Sequence, residues 1–382
     1  MAHAEMPAAQ SSGSGRLSAA VEARGARLVR HGVRARSWRL GVLPALGLAL
    51  TVGIVVAAAV GAVPISPATT AAVLLNATHL VHIPRTWPVA DEVILLQLRL
   101  PRVLGAALVG AALAVAGALF QGLLRNPLAD PFLLGTSAGA ALGASIAFAV
   151  PTLFAIDLLG FSLTALLALV GALLAAGLVY VLATRRGETP VVTLLLAGVA
   201  VSAVLTAAQT LIVSLQERAG LRILDFYYWL AGAVNVQSWT QLELLLPLVL
   251  LAILASLLLA PALDAFAAGE EVAAYLGLRV ERTKLLITGL AALLVAAAVS
   301  ISGLVGFVGL VAPHLCRIML GPRHRLLLPA SALAGALFVV LSDLVARTLI
   351  APSELPLGVV TALVGGPFFL ALLRRAGRGY SW

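Results

Sequence analysis

Long apolar stretches, separated by short polar connections, run through most of the chain. A helix that spans a bilayer needs about 20 predominantly apolar residues, and ten stretches approach or exceed that length. The short segments of alternating polarity that build a membrane β-barrel are absent from the sequence. The pattern therefore predicts an all-α polytopic membrane protein with ten transmembrane helices, at residues 42–63, 103–122, 131–150, 161–183, 191–214, 241–260, 285–301, 304–320, 326–349 and 358–373.

Composition supports this prediction and narrows the chemistry. Of the 382 residues, 61% are hydrophobic and 11% are charged, whereas a soluble domain is about 25% charged. The single cysteine, Cys316, excludes a disulfide or thiolate metal cluster within one chain. His314 has no Cys, Asp or Glu at ligand spacing, which favours a hydrogen-bonding role at a helix end. We expect no metal and no cofactor.

The basic residues predict how the chain lies in the membrane. With both termini in the cytoplasm, 19 basic residues fall inside and 6 outside, which is a positive-inside bias. This favours membrane orientation over nucleic-acid binding. We expect a basic cytoplasmic tail at 1–40, disordered or partly helical on the membrane surface, a transmembrane domain at 41–375 and a cytoplasmic tail at 376–382. A cleaved signal peptide competes for 42–63, but this stretch exceeds the 7–15 residues of a signal h-region.

The ten predicted spans are arranged with an internal symmetry. Four spans, at 103–214, lie between the first span and the one at 241–260. Four more spans, at 285–373, come after the span at 241–260. The two groups of four enter the membrane from opposite faces. The order therefore predicts an inverted repeat of four helices on either side of a central helix.

Two arginines lie at the predicted outer end of the second span, against the positive-inside trend. They belong to the segment L-R-L-P-R-V-L-G, as Arg99 and Arg102. One interpretation is that they anchor a helix end by snorkelling. The other is that they present two fixed guanidinium forks to carboxylates of a soluble partner.

Three other segments carry candidate functional residues. Asn126-Pro127 and Asp130-Pro131 predict a tight cytoplasmic turn, with Asp130 as the cap of the next span. After this turn, glycines at every fourth position predict close helix packing. The inside loop 263–284 reads as one or two short amphipathic helices broken by Gly269 and Gly277. It is either a surface-lying helix pair or a docking knob for a cytoplasmic partner.

Asp343 is the only carboxylate well inside a predicted span, and such an acid is a functional candidate. Arg347 lies four residues later, on the same helix face. Neutralisation within the helix therefore competes with a role as a proton or sodium site.

These segments together resemble the permease subunits of ABC importers for iron chelates and cobalamin, the FecCD type with the cobalamin permease fold. The resemblance covers roughly residues 41–375. It rests on four long motifs in order: L-R-L-P-R, R-N-P-L-A-D-P-F-L-L-G-T-S-A-G-A, G-F-V-G-L-V-A-P-H-L-C-R and E-L-P-L-G-V-V-T-A-L-V-G-G-P-F-F.

The resemblance implies a homodimer with a central pathway, two cytoplasmic ATP-binding subunits and an extracytoplasmic substrate-binding protein. It implies that Arg99, Arg102 and Arg347 contact the binding protein. It also implies that the loop 263–284 couples to the ATPase and that a cytoplasmic turn and gate region lies nearby. The expected coupling residues are Leu263, Asp264, Gly269, Glu270, Glu271, Tyr275, Leu276, Gly277 and Leu278. The turn and gate residues are Asn126, Pro127, Asp130, Pro131, Pro313, His314 and Arg317.

The chain itself cannot supply an ATPase site. A P-loop requires G-x-x-x-x-G-K-[ST], and the only lysine, Lys284, is followed by Leu285. We therefore expect a transporter subunit of a bacterial inner membrane, with no catalytic residues and with ATP hydrolysis in another chain. It would import an iron chelate (siderophore), haem or cobalamin by alternating access. The alternative is an ion-coupled secondary transporter that uses Asp343.

Overall fold

The structure is a computed structural model and describes residues 41–61, 63–79, 82–150, 157–158, 160–217, 223–236 and 238–376. Backbone contacts divide the chain into one unit at Met1–Ala45 and another at Leu46–Trp382. The predicted tail at 1–40 lies outside the described residues, as does all of the C-terminal tail except Ala376.

Helices make up nearly all of the regular structure within the described ranges. In chain order they are α1 (Gly41–Ala59), α2 (Pro67–Ala77), α3 (Val89–Leu123), α4 (Thr136–Ala149), α5 (Leu163–Ala183), α6 (Val191–Glu217), α7 (Ile223–Leu230), α8 (Trp239–Leu258), α9 (Ala260–Ala267), α10 (Glu270–Tyr275), α11 (Val280–Ser302), α12 (Val308–Leu320), α13 (His324–Thr348) and α14 (Leu357–Ala376). A 3₁₀ turn spans Pro131–Leu134. Two short antiparallel strands, β1 (Asp157–Leu158) and β2 (Phe161–Ser162), pair in front of α5.

The polytopic helical architecture predicted from the sequence is confirmed. Among the described residues, eight helices are long and apolar enough to cross a membrane, and two shorter apolar helices, α4 and α12, occupy the remaining predicted stretches. The inverted repeat and the exact number of crossings stay predictions.

The second long helix extends further than the sequence pattern indicated. It begins at Val89 instead of residue 103 and includes a π-helical turn at Ile94–Arg99. Pro101 lies two residues after this turn, lacks a backbone N–H, and its ring crowds the preceding turn. A widened turn at this place keeps the helix continuous. As a result, Arg99 and Arg102 lie within a helix and not at its end.

Helix α3 forms the centre of the bundle and contacts α8, α11, α12 and α13. Glycines allow two of these contacts to reach backbone distance. A Cβ atom on Gly110 would collide with the carbonyl oxygen of Gly335 in α13, and one on Gly117 would collide with that of Gly309 in α12. Only glycine fits such crossings, as in closely packed membrane helices.

The repeated glycines of the predicted span 131–150 have two different structural roles. Gly139 and Gly143 lie against the backbone of α5 at Gly171 and Leu167, which confirms the predicted packing face. Gly135 instead has a positive φ of 73° and separates the 3₁₀ turn from α4. The predicted continuous span at 131–150 is therefore broken at Gly135, because an αL residue cannot continue a helix.

Helices α6 and α14 lie at the edge of the bundle and leave most of their apolar surface uncovered. On α6 the exposed side chains include Val192, Leu196, Val199 and Val204, and on α14 they include Leu363 and Leu370. In a membrane these faces can contact lipid or another protein chain.

Candidate functional site

Five charged residues meet at the end of the bundle that the charge bias predicts to face outward. They lie on α3, on α13 and in the connection to α14, and we call them the arginine cluster: Arg99, Arg102, Asp343, Arg347 and Glu354. Long-range pairing brings them together, since Arg102 and Glu354 are 252 positions apart in the chain.

Two arginines of the cluster are buried and bind the end of α1. Arg99 donates to the carbonyl oxygens of Ala58 (3.1 Å), Ala59 (2.9 Å) and Val63. Arg347 donates to the carbonyl oxygen of Ala57 at 3.1 Å. Carbonyls in the last turn of a helix lack intrahelical partners, so these guanidinium groups cap α1. Their contact with a soluble partner stays a prediction, and in this conformation both are engaged inside the protein.

Asp343 is the buried anion of the cluster, with a side chain only 2% exposed. It accepts hydrogen bonds from Arg347 Nε at 2.8 Å and from Arg102 Nε and Nη2 at 3.2 and 3.0 Å. This geometry matches neutralisation within the helix. An ion-coupled role for Asp343 is not supported, because two arginines already balance its charge.

Arg102 differs from the other two arginines because it reaches the surface. Its side chain is 22% exposed and forms a bidentate pair with Glu354 at 3.0 and 2.8 Å, and Glu354 is 48% exposed. Arg102 therefore pairs with the buried carboxylate of Asp343 and the exposed carboxylate of Glu354. The exposed partner was not singled out from the sequence, although it begins the E-L-P-L-G motif.

A cavity of 680 Å³, lined by both polar and apolar side chains, lies beside the arginine cluster. Its wall includes Arg102, Glu354, Asp225, Asn235 and Gln241, together with the aromatic rings of α7. A cavity with this lining suits water or a polar ligand better than lipid. The Arg102–Glu354 pair thus borders this cavity.

The loop 263–284 lies on the side predicted to be cytoplasmic and contains most of α9, all of α10 and the start of α11. As predicted, Gly269 and Gly277 interrupt it, with φ values of 119° and 84°. Tyr275 is 91% exposed and Leu276 is 68% exposed. Two large apolar side chains at the tip of a loop are typical of an interaction surface.

The same loop is fixed to the bundle through its other residues. Asp264 accepts from the backbone N–H of His324 at 3.0 Å and pairs with His324 Nδ1 at 2.7 Å, which caps α13. Leu263 is buried, and Glu270 pairs with Lys284 at 2.6 Å. Glu271 and Leu278 extend the loop beside this pair, and Leu278 packs against the core.

The predicted turn at residues 126–131 is also present. Asn126 Oδ1 accepts from the Leu128 N–H at 2.9 Å, and Asp130 Oδ1 accepts from the Phe132 N–H at 2.8 Å. Asp130 therefore caps the 3₁₀ turn and not α4, because Gly135 separates the two. Removal from water raises the pKa of Asp130, and the Phe132 N–H opposes this shift. Pro127 completes the turn.

The structure connects this turn to α12. The Pro131 ring occupies the space into which a Cβ atom on Gly309 would project. Further along α12, buried His314 lies edge-on to Phe368 of α14, with ring centroids 6.0 Å apart. Pro313 is inside the helix and Arg317 is in its last turn. A gating role for this region stays a prediction.

Sequence reasoning missed one further cluster, which surrounds Lys284. Its ammonium group contacts Glu270, Glu281 and the carbonyl oxygen of Thr189. The sequence feature that could have drawn attention to this cluster is that Lys284 is the only lysine in the chain.

Comparison with known proteins agrees with the motifs. The model of the FecCD transport family matches residues 49–375. The cobalamin import system permease protein of Halobacterium salinarum is 45% identical over 287 residues, covering 75% of each chain. The hemin transport system permease protein of Yersinia pestis is 43% identical over 288 residues, covering 73% of this chain and 83% of its own.

The structural comparison gives the same result. A solved inward-facing structure, described as a metal-chelate type ABC transporter, has a TM-score of 0.73 and 29% sequence identity. The match covers 88% of this chain and 99% of that one.

Proposed function

The chain belongs to the FecCD transport family and is a membrane-spanning permease subunit, and we propose that it imports an iron chelate, haem or cobalamin across the cytoplasmic membrane. The observation that carries this proposal is the family match over nearly the whole membrane domain. The relatives are named for cobalamin, hemin and iron(3+)-hydroxamate. The proposed cargo class follows from those names.

The family implies ATP-binding subunits and a substrate-binding protein as partners. We propose that two ATP-binding subunits bind the loop 263–284, with Tyr275 and Leu276 as the apolar contact. The absence of a P-loop in this sequence supports placing ATP hydrolysis in those subunits. The permease would then contribute no catalytic residue. Alternating access would follow from displacement of the loop.

We also propose that two copies of the chain form the transporter, each crossing the membrane ten times with an inverted repeat. The uncovered apolar faces of α6 and α14 support a second copy as their neighbour, with the pathway between subunits. The charge bias supports cytoplasmic termini. The bacterial inner membrane is the proposed location.

Docking of the binding protein is proposed at the arginine cluster. Arg102 supplies the contact, because its guanidinium reaches the surface and its outer partner Glu354 can exchange with another carboxylate. Arg99 and Arg347 are buried in this conformation, so they support docking by fixing α1 and Asp343 around Arg102. Direct contact by these two would require a rearrangement of α1.

The test is uptake by vesicles that contain the permease, its ATP-binding subunits and its binding protein. Haemin, cyanocobalamin and ferrichrome serve as three separate probes. We expect ATP-dependent accumulation of at least one, unaffected by an uncoupler. Accumulation that persists without ATP and collapses with the uncoupler would contradict the proposal.

A further inference from the structure

Lys284 occupies an unusual place for a lysine, because its side chain is only 5% exposed. Its Nζ atom lies 2.6 Å from Glu270 Oε2 and 3.0 Å from Glu281 Oε1, and it donates to the Thr189 carbonyl oxygen at 3.0 Å. An ammonium group has three N–H donors. Each N–H donor of Lys284 therefore has one partner.

The three partners join two segments that are far apart in sequence. Glu270 begins α10 in the loop 263–284, and Glu281 lies in the first turn of α11. Thr189 belongs to the connection between α5 and α6, two residues before α6 begins. Glu281 also accepts from the Thr189 backbone N–H at 2.9 Å. Thr189 is thus held through both of its backbone polar groups.

This cluster resists separation. Lys284 is buried, so loss of Glu270 would leave its charge with Glu281 alone, which is more costly than breaking an exposed pair. Within the residues that the structure describes, the pair with Lys284 is the only ion pair that α10 forms. A displacement of α10 therefore acts on Lys284, and through it on the segment that leads into α6.

We propose that Lys284 is a positioning residue that transmits displacement of α10 to the start of α6. The inference rests on the proposed function, in which α10 receives the ATPase and α6 borders the pathway. It adds the physical connection between them: an ionic joint formed by Lys284, Glu270, Glu281 and Thr189.

The test compares Lys284→Met with Arg325→Met in complete transporters in vesicles. Arg325 is an exposed cation at the start of α13, outside the loop 263–284, so it is the control. We expect Lys284→Met to assemble with its ATP-binding subunits and to hydrolyse ATP within about twofold of the wild-type rate. Uptake of the transported probe (haemin, cyanocobalamin or ferrichrome) per ATP should fall at least about tenfold. Lys284→Arg should restore most of it, and Arg325→Met should match the wild type.

A purely structural role gives a different result, because assembly, hydrolysis and uptake would then fall together. That outcome, or normal uptake per ATP by Lys284→Met, would overturn the proposal. A second measurement needs neither cargo nor ATPase: hydrogen exchange of residues 184–194 in the isolated permease. Glu270→Gln, which alters only the α10 side of the joint, should accelerate exchange there severalfold.

The two measurements also separate this inference from the proposed function. If wild-type vesicles take up none of the three probes with ATP, the proposed function fails while the exchange result still decides whether the joint exists. Unchanged exchange in Glu270→Gln would refute the joint whatever the vesicles show.

Discussion

Removing the carboxylate of Asp343 should destabilise the protein strongly. Its two oxygens accept three hydrogen bonds, two from Arg102 and one from Arg347, at 2.8 to 3.2 Å. Breaking a buried ion pair by deleting one partner costs about 3–5 kcal/mol. Arg102 keeps Glu354 and Arg347 keeps the Ala57 carbonyl. We therefore expect Asp343→Ala to lower the free energy of unfolding by about 3 kcal/mol, the lower end of that range.

The assay is equilibrium unfolding in detergent micelles titrated with SDS, followed by tryptophan fluorescence. Asp225→Ala is the control, because this acid is exposed and should change the free energy of unfolding by less than about 0.5 kcal/mol. A double variant, Asp343→Leu with Arg347→Met, removes one anion and one cation together. The double variant should lower the free energy of unfolding by less than Asp343→Ala does, since an apolar pair can replace a buried ion pair.

Two outcomes would refute this reasoning. One is a loss below about 1 kcal/mol for Asp343→Ala, which would mean that the guanidinium groups find other partners. The other is a double variant less stable than the single one. If Asp343→Ala were fully stable and yet inactive in uptake, the carboxylate would have a transport role and not a structural one.

Three further predictions follow from other contacts. Glu354→Gln should strengthen capture of the purified binding protein severalfold in a surface-binding assay, because it frees the guanidinium beside it; weaker capture would contradict docking there. Tyr275→Asp should abolish co-purification of the ATP-binding subunit while binding-protein capture stays normal. Gly110→Val should lower the free energy of unfolding by about 1–3 kcal/mol, because its added Cβ would meet the α13 backbone. Gly289→Val is the control and should lower the free energy of unfolding by less, because no atom lies within 4 Å of its added Cβ.

Much of the fold could be predicted because membrane helices are encoded locally. Each apolar stretch needs only its own length to identify it, and within the described residues each predicted stretch overlaps a helix, although several bounds differ. Local chemistry also predicted the breaks at Gly269 and Gly277. It predicted Asp130 as a cap, although the element capped is the 3₁₀ turn and not the helix of the next span. The helix that begins at Val89 was missed at its start, because polar residues near its N-terminus interrupt the apolar pattern.

The charged sites were harder to predict because their partners are distant in sequence. The pairing of Asp343 with Arg347 could be foreseen, since four residues separate them on one helix. Nothing in the local sequence indicates that Arg99 caps α1, or that Lys284 meets Thr189 across 95 positions. Such contacts depend on the packed arrangement of helices, which periodicity does not specify.

The burial of Lys284 has a practical consequence for following the transporter at work. Because the chain has no other lysine, an amine-selective reagent can modify only one side chain, apart from the α-amino group. That amine is enclosed when the joint is intact, so its modification rate measures how often the joint opens. The unaltered protein thus contains its own chemical reporter, which could be read by mass spectrometry during ATP turnover without introducing a label.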